Sequence, residues 1–237
     1  MELKINVNKK MLYKLFIGLV LLEIIFVIGY FAGVLIPNNK LHTIFNLDGE
    51  STIPSWFSSM QLFLIGLIFW TKSLHLNNYP LISTFFYKTA GTGFIYLSAD
   101  EASEIHEKIG NILRGINNGR NVIPHFEGGY GHGFWLLPYF LIGITLAFVF
   151  HKDITAFFKC YKRSSIIMIS GLSIAILGAV GFEIVGYGYR DVYGDANKFL
   201  PYIFEVAAEE FFEMLGFSLV LYGASLMLLD ENKPLSA

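Results

Sequence analysis

Four acids and a histidine lie within eight residues of one another in the segment 98–108, which reads SADEASEIHEK. Carboxylate and imidazole groups bind divalent metal ions, and they also act as general acids and bases. The segment directly follows the apolar run FFYKTAGTGFIYL. An acidic water-facing rim and a functional site are both open interpretations of this charge. The rest of the chain has to decide between them.

Helical periodicity gives each member of this segment a direction. Residues three or four apart share one face of an α-helix. Asp100, Glu104 and Glu107 are therefore predicted to form one inward stripe. Glu101 falls at the margin of that stripe, and His106 is predicted to point away from it.

A second acidic stripe is predicted near the other end of the chain, in the segment FEVAAEEFFEML. Glu205, Glu209 and Glu213 share a helical face there, while Glu210 lies to one side. Like charges at this spacing repel one another. A carboxylate stripe that enters a membrane therefore needs a cation, a proton or a basic partner.

The composition is that of a polytopic membrane protein. The 237 residues are 54% hydrophobic and 15% charged, with a mean hydropathy of +0.53. We predict an all-α fold with one domain, 1–237, that forms a six-transmembrane-helix bundle. The six predicted spans are 12–36, 57–76, 82–99, 133–151, 164–189 and 203–229. Cys160 is the only cysteine, which excludes an intramolecular disulfide and a cysteine-based zinc site.

Basic residues predict the orientation of these spans. Eleven Lys and Arg residues lie on the side of the two termini, and six lie on the other side. The positive-inside rule then places both termini in the cytoplasm, and most acids gather on the outer side. Gly171, Ala175, Gly178 and Gly181 lie at close spacing in the fifth span, so we predict that it is a central helix of the bundle.

Counting along each span at about 1.5 Å per residue gives the depth of its polar residues. Asp100, His132, Glu183, Glu209 and Glu213 all fall roughly 25–30 Å above the predicted cytoplasmic boundary. Four helices thus bring acids or a histidine to one layer at the outer end. A functional role is favoured for Asp100, Glu183 and Glu209. The rim interpretation is favoured for Glu101, Glu107 and Glu210.

Three further acids have two interpretations each. Asp48 and Glu50 flank a glycine turn in the first outer loop. They are either solvated residues of this turn or part of the outer site. Glu23 lies near mid-membrane in LVLLEIIFV. It is predicted to be a packed, protonated structural residue, with helix pairing or proton movement as the alternatives.

Four segments carry a resemblance to a known group of proteins. LDGESTIPSWFSS, LSADEASEIHE, an intramembrane GFE and AAEEFFEMLG occur in this order. The chain resembles a group of bacterial multi-span integral membrane proteins that has no assigned activity, over most of residues 45–216. The resemblance implies that the four segments belong together, in one site of a protein of the bacterial inner membrane.

The predicted function is a metal-dependent or acid/base membrane enzyme at the extracytoplasmic end, acting on a lipid or another amphiphile. The predicted catalytic residues are Asp100, Glu104, Glu183 and Glu209. The predicted metal ligands are Asp100, Glu104, Glu107, His132, Glu183, Glu205, Glu209 and Glu213. The predicted supporting residues are Asp48, Glu50, Glu101, His106 and Glu23.

The identity of the metal stays open among Fe, Mn, Zn and Ca. The chain contains no Glu-x-x-His, which weakens the standard di-iron interpretation. Membrane lipids are the expected partners, and no nucleic acid is expected. Two alternatives remain: a cation- or proton-coupled transporter or channel, and an accessory subunit of a membrane complex.

Overall fold

The computed structural model describes residues 8–36, 40–49, 51–74, 81–116, 136–182 and 199–230. Within these ranges the chain is almost entirely helical and contains no strand, which confirms the predicted all-α class. The helices are α1 (Lys9–Leu35), α2 (Leu41–Phe45), α3 (Ile53–Leu74), α4 (Thr84–Ser103), α5 (Ile105–Ile116), α6 (Leu136–Val149), α7 (His151–Cys160), α8 (Lys162–Ile176) and α9 (Phe199–Leu229). A π-helical turn, Leu177–Phe182, continues α8.

Four of the described segments are long and apolar enough to cross a membrane, as in an integral membrane protein. They are Lys9–Leu35, Ile53–Leu74, Lys162–Phe182 and Leu200–Leu229. Within the described residues, a fifth span is present only if α6 and α7 are counted as one segment. The predicted third span does form a helix, α4, but Lys88 and its acidic C-terminal end make it less apolar than the other four. The described residues therefore support four or five spans, and the six-span count is not confirmed.

The predicted fourth span, 133–151, is interrupted by a bend. α6 and α7 meet at 72°, with Phe150 at the corner. Phe150 is buried and packs against Phe85 and Phe86, with ring centroids 5.6 Å apart in both pairs. Asp153 Oδ1 accepts a hydrogen bond of 2.6 Å from the backbone N–H of Ser83. These contacts hold α7 against the start of α4, so the chain turns instead of continuing straight.

Small residues bring α8 and α9 into close contact. A Cβ atom on Gly216 would lie 2.6 Å from the carbonyl oxygen of Gly171 and 2.7 Å from Ala175 Cβ. Gly178 likewise lies against the backbone of Glu209. These contacts confirm the small-residue face that the sequence predicted, except at Gly181, where a Cβ would meet nothing within 4 Å.

The central helix of the bundle is α9, which corrects the prediction that the fifth span is central. α1, α3 and α8 all pack against α9, whereas α8 leaves much of its own surface exposed. Two apolar clusters lie along α9. One surrounds Met214 together with Phe26 of α1, and the other surrounds Val220 together with Phe69 of α3. α9 therefore connects the two ends of the bundle.

The end where α1 and α4 finish and where α3 and α9 begin carries the acids Asp48, Asp100, Glu101 and Glu210, and we call it the acidic end. The sequence predicts that this end faces away from the cytoplasm. That orientation remains a prediction.

Candidate functional site

The helix that carries the first acidic segment breaks at Glu104. This residue has φ 48° and ψ 42°, in the left-handed region, and it is the only non-glycine residue with positive φ in the described part of the chain. α4 therefore ends at Ser103, and α5 starts as a separate helix at Ile105. The break places His106 close to Asp100 instead of on the opposite face of one continuous helix.

Asp100 is the centre of a hydrogen-bonded group. Its Oδ1 accepts a bond of 2.6 Å from the backbone N–H of His106 and lies 3.2 Å from His106 Nδ1. An N–H in the first turn of a helix has no partner within that helix, so Asp100 also caps the start of α5. Its Oδ2 accepts a bond of 2.9 Å from the Tyr139 hydroxyl. Asp100 thereby ties α4, α5 and α6 together.

A second tyrosine extends this group. Tyr96 lies one turn before Asp100 on α4, and its hydroxyl is 2.9 Å from that of Tyr139. Because Tyr139 donates to Asp100, the Tyr96 hydroxyl is the donor between the two tyrosines. The result is a directed series from Tyr96 through Tyr139 to the carboxylate, which we call the Asp100 network together with His106.

Exposure differs sharply within the Asp100 network. The Asp100 side chain is 8% exposed, whereas the His106 side chain is 30% exposed. Burial alone raises the pKa of Asp100, but the hydrogen bonds from His106 and Tyr139 and the proximity of the imidazole lower it, and the net pKa lies below the usual range. A buried, ionised carboxylate thus lies beside a histidine that reaches the surface.

A second group of acids lies at the same end. Glu210 of α9 interacts electrostatically with Glu101, Glu209 and Asp48. Tyr30 of α1 is buried and interacts electrostatically with Asp48 and Glu210. Three separate parts of the chain, α4, α9 and the turn after α2, therefore contribute to one acidic group, and α1 adds Tyr30. Burial raises the pKa of Glu101 to about 7, while His106 opposes the rise and Asp100 adds to it.

Comparison with known proteins gives a family and no activity. A family model for a domain of unknown function, DUF8692, matches residues 14–228, which is most of the chain. The chain belongs to this family. No curated protein and no solved structure matches it. A functional hypothesis for the DUF8692 domain therefore has to come from its own site geometry.

The break at Glu104 corrects the predicted direction of three residues in the first acidic segment. The prediction assumed one helix through residue 107, with Glu104 inside and His106 outside. In the DUF8692 domain Glu104 is instead the left-handed residue at the break, with Oε2 3.9 Å from Lys108 Nζ. His106 joins Asp100, and Glu101 joins the acids of α9.

The predicted metal site is not assembled within the described residues. They contain no group of three or more His, Cys, Asp or Glu side chains that is placed to hold a metal ion. Two predicted ligands, His132 and Glu183, lie outside the described residues, as do the side chain of a third, Glu107, and the predicted supporting residue Glu50. Glu205, Glu209 and Glu213 lie on α9 and are half-buried. A metal site in the DUF8692 domain remains a hypothesis that depends on His132 and Glu183.

Sequence reasoning missed several polar residues that the structure brings into contact with predicted ones. Tyr96 and Tyr139 complete the Asp100 network, and Gln61 and Ser218 contact Glu23. A usable signal existed for Gln61, because it is the only amide side chain in the apolar run of α3. The tyrosines carried no such signal, since an aromatic residue near a membrane boundary is ordinary.

The stability of the DUF8692 domain is expected to fall as the pH rises from about 4.5 to about 7. Glu101 has its pKa raised from 4.5 to about 7 in the folded protein, so the folded state holds this proton more tightly than the unfolded state does. Deprotonation in this window therefore favours unfolding. Asp100 acts in the opposite sense, but only near and below its ordinary pKa of 3.8.

Glu101→Gln should reduce that fall in stability, which a series of thermal unfolding curves across the pH range would measure. Glu104→Gln is the matched control, because Glu104 lies three residues further along and its side chain is 39% exposed. The control should keep the wild-type slope. Equal slopes in the wild type and in Glu101→Gln would contradict the prediction.

Proposed function

We propose that this protein is a membrane enzyme that uses His106 as general acid and base at the acidic end, acting on a lipid or another amphiphile. The contact between Asp100 and His106 Nδ1, at 3.2 Å, supports this proposal most directly. A buried carboxylate beside one ring nitrogen of a more exposed histidine is the arrangement that orients a catalytic imidazole. An unperturbed imidazole titrates near neutral pH, which suits proton transfer in both directions.

Each residue of the Asp100 network has a role in this scheme. Because Nδ1 of His106 lies beside Asp100, the scheme assigns the proton exchange with the reactants to Nε2. It removes a proton from an attacking water or hydroxyl group and returns that proton to the leaving group. The Asp100 carboxylate stabilises the imidazolium that forms in between. Tyr139 and Tyr96 fix the carboxylate in place.

The surroundings of the site favour an amphiphilic substrate. Tyr139 belongs to α6, whose side chains Leu137, Phe140 and Ile144 are more than half exposed. Exposed apolar side chains on a candidate membrane helix are a surface for acyl chains. A head group bound near His106 would therefore have apolar protein surface beside it for its chains. A hydrolysis or transfer reaction on the head group or its linkage fits this placement.

The acid/base form of the proposal is the one that described residues support. The metal-dependent form needs ligands beyond Asp100 and its neighbours. His132 and Glu183 are the predicted ligands that would have to supply them. A metal ion bound there would activate water or polarise the head group.

Product formation from lipid vesicles tests the proposed function. Purified protein is incubated with vesicles of mixed zwitterionic and anionic phospholipids, and new lipid species are followed by mass spectrometry. His106→Ala should lower the initial rate by on the order of 10²-fold. His151→Ala is the matched control, because His151 lies on α7 with Nδ1 2.8 Å from Phe148 O, and it should keep the wild-type rate. Equal rates in the wild type and His106→Ala, or no product from the wild type, would overturn the proposal.

A further inference from the structure

Three polar side chains meet in the apolar interior, midway along the bundle. Glu23 lies 14 residues from the start of α1 and 12 from its end, about 20 Å from each end of the helix. Ser218 of α9 donates a hydrogen bond of 2.6 Å to Glu23 Oε1. Gln61 of α3 donates to Ser218 Oγ at 2.6 Å and to Glu23 Oε1 at 3.3 Å. We call these three residues the Glu23 cluster.

The Glu23 cluster contains more hydrogen-bond acceptors than donors. The Ser218 hydroxyl donates its proton to Oε1 of Glu23. The Gln61 amide nitrogen donates to Ser218 Oγ and to the same Oε1. Two oxygens, Glu23 Oε2 and Gln61 Oε1, remain buried without a hydrogen-bond partner among the described residues. Glu23 and Ser218 are 0% exposed and Gln61 is 2% exposed. Both of these oxygens are acceptors, so the group that completes the cluster has to be positive or carry a proton.

Glu23 makes no ion pair with a side chain in the described part of the chain. The influences on its carboxyl group there are burial, which is the largest, and the hydrogen bonds from Ser218 and Gln61. The charged residues on α1 and α3 are distant in sequence from the cluster, with Lys14 nine residues before Glu23 and Lys72 eleven residues after Gln61. On α9 the nearest ionisable groups are Glu213, five residues before Ser218, and Tyr222, four residues after it. A bare carboxylate in this position is strongly disfavoured.

We propose that the Glu23 cluster is a buried binding site for a small monovalent cation, a proton or Na⁺. One carboxylate, one amide oxygen and one hydroxyl form a set of hard oxygen ligands with a single negative charge. Divalent-ion sites usually contain several carboxylates, whereas this set carries one negative charge, which a single positive charge neutralises. The same chemistry serves both ions, because a proton on Oε2 and a Na⁺ ion beside it would each neutralise the buried carboxylate.

This site is independent of the Asp100 network. Glu23, Gln61 and Ser218 belong to α1, α3 and α9, whereas the Asp100 network joins α4, α5 and α6. A cation site at mid-depth is also what cation- or proton-coupled transport would require. Its existence can be tested without knowing whether the protein is an enzyme or a transporter.

Infrared difference spectroscopy of the protein in lipid nanodiscs tests the proposal. The C=O stretching band of a protonated carboxyl group is followed from about pH 5 to about pH 9 in Na⁺-free choline buffer. The band of Glu23 is identified as the one that Glu23→Gln removes. At fixed pH, choline is then replaced by Na⁺ at constant ionic strength. Loss of the band with rising pH alone assigns the site to a proton, and loss of the band on adding Na⁺ assigns it to Na⁺.

Two further variants show whether the cluster itself sets the affinity. Ser218→Ala removes a donor to Glu23 and should shift the pH or Na⁺ midpoint by about tenfold in ion concentration. Ser225→Ala is the matched control, because Ser225 Oγ bonds to Leu221 O within its own helix at 2.8 Å. The control should leave the midpoint unchanged. A Glu23 band that responds neither to pH nor to Na⁺, or no difference between the wild type and Glu23→Gln, would overturn the proposal.

Discussion

Replacing Asp100 by alanine is expected to lower turnover of the amphiphilic substrate by on the order of 10²-fold, up to the loss expected for His106→Ala. Asp100 holds both the backbone N–H and the ring of His106, and it also accepts the hydrogen bond from Tyr139. Its removal therefore affects three contacts at once, whereas His106→Ala leaves the carboxylate and Tyr139 together. In the proposed scheme Asp100 acts through His106, so it is a positioning residue. Initial rates on the vesicle substrate measure the effect.

A pH–rate profile distinguishes positioning from a general loss of structure. Asp100→Asn keeps the shape of the side chain but removes its charge, and a nearby negative charge favours the protonated imidazole. The midpoint of the profile should therefore move to lower pH by about one unit. A purely structural role would lower the amount of active protein and leave the midpoint in place. Asp230→Asn is the control, because it removes the charge of a carboxylate that pairs with Lys9 Nζ at 2.9 Å, at the opposite end of α9 from the acidic end. An unchanged midpoint in Asp100→Asn would contradict the positioning role.

The location of the site followed from the sequence better than its internal arrangement. Depth counting along apolar runs placed Asp100 at the end of a helix, where the structure has it. The predicted direction of the His106 side chain was wrong, because helical periodicity assumes that the helix continues. The break at Glu104 depends on a left-handed residue that is not glycine, and no sequence rule marks such a residue. The side-chain cap from Asp100 to the backbone N–H of His106 forms only because the helix breaks there.

The helices were predicted more reliably than the count of spans, for a related reason. A long apolar run has to bond its own backbone in any apolar environment, so its helical state follows from composition. Whether it crosses a membrane in one piece depends on contacts from elsewhere in the chain. Phe150 and Asp153 pack against the start of α4, and the predicted fourth span bends there. Glu23 was singled out as an acid within an apolar run. Its partners Gln61 and Ser218 were not predicted, because they lie 38 and 195 residues away in the sequence.

Replacing Gly216 by alanine is expected to destabilise the protein by about 1–3 kcal/mol, the usual cost of overpacking a tight interior. The new methyl group would lie 2.6 Å from the carbonyl oxygen of Gly171 and 2.7 Å from both N and Cβ of Ala175. These are mostly backbone atoms of a facing helix, so α8 has to move as a body to make room. The midpoint of thermal or denaturant unfolding in nanodiscs measures the loss.

Gly18→Ala is the matched control for this substitution, since a Cβ on Gly18 of α1 meets nothing within 4 Å. Alanine is the better helix former, so the control should be neutral or slightly stabilising. Gly171→Ala should destabilise as Gly216→Ala does, and the double variant should cost less than the sum, because both methyl groups demand the same separation of α8 from α9. Equal stability of Gly216→Ala and Gly18→Ala would show that the two helices do not depend on this contact. Turnover per folded molecule should stay near the wild-type value in Gly216→Ala, because the Asp100 network lies on α4, α5 and α6.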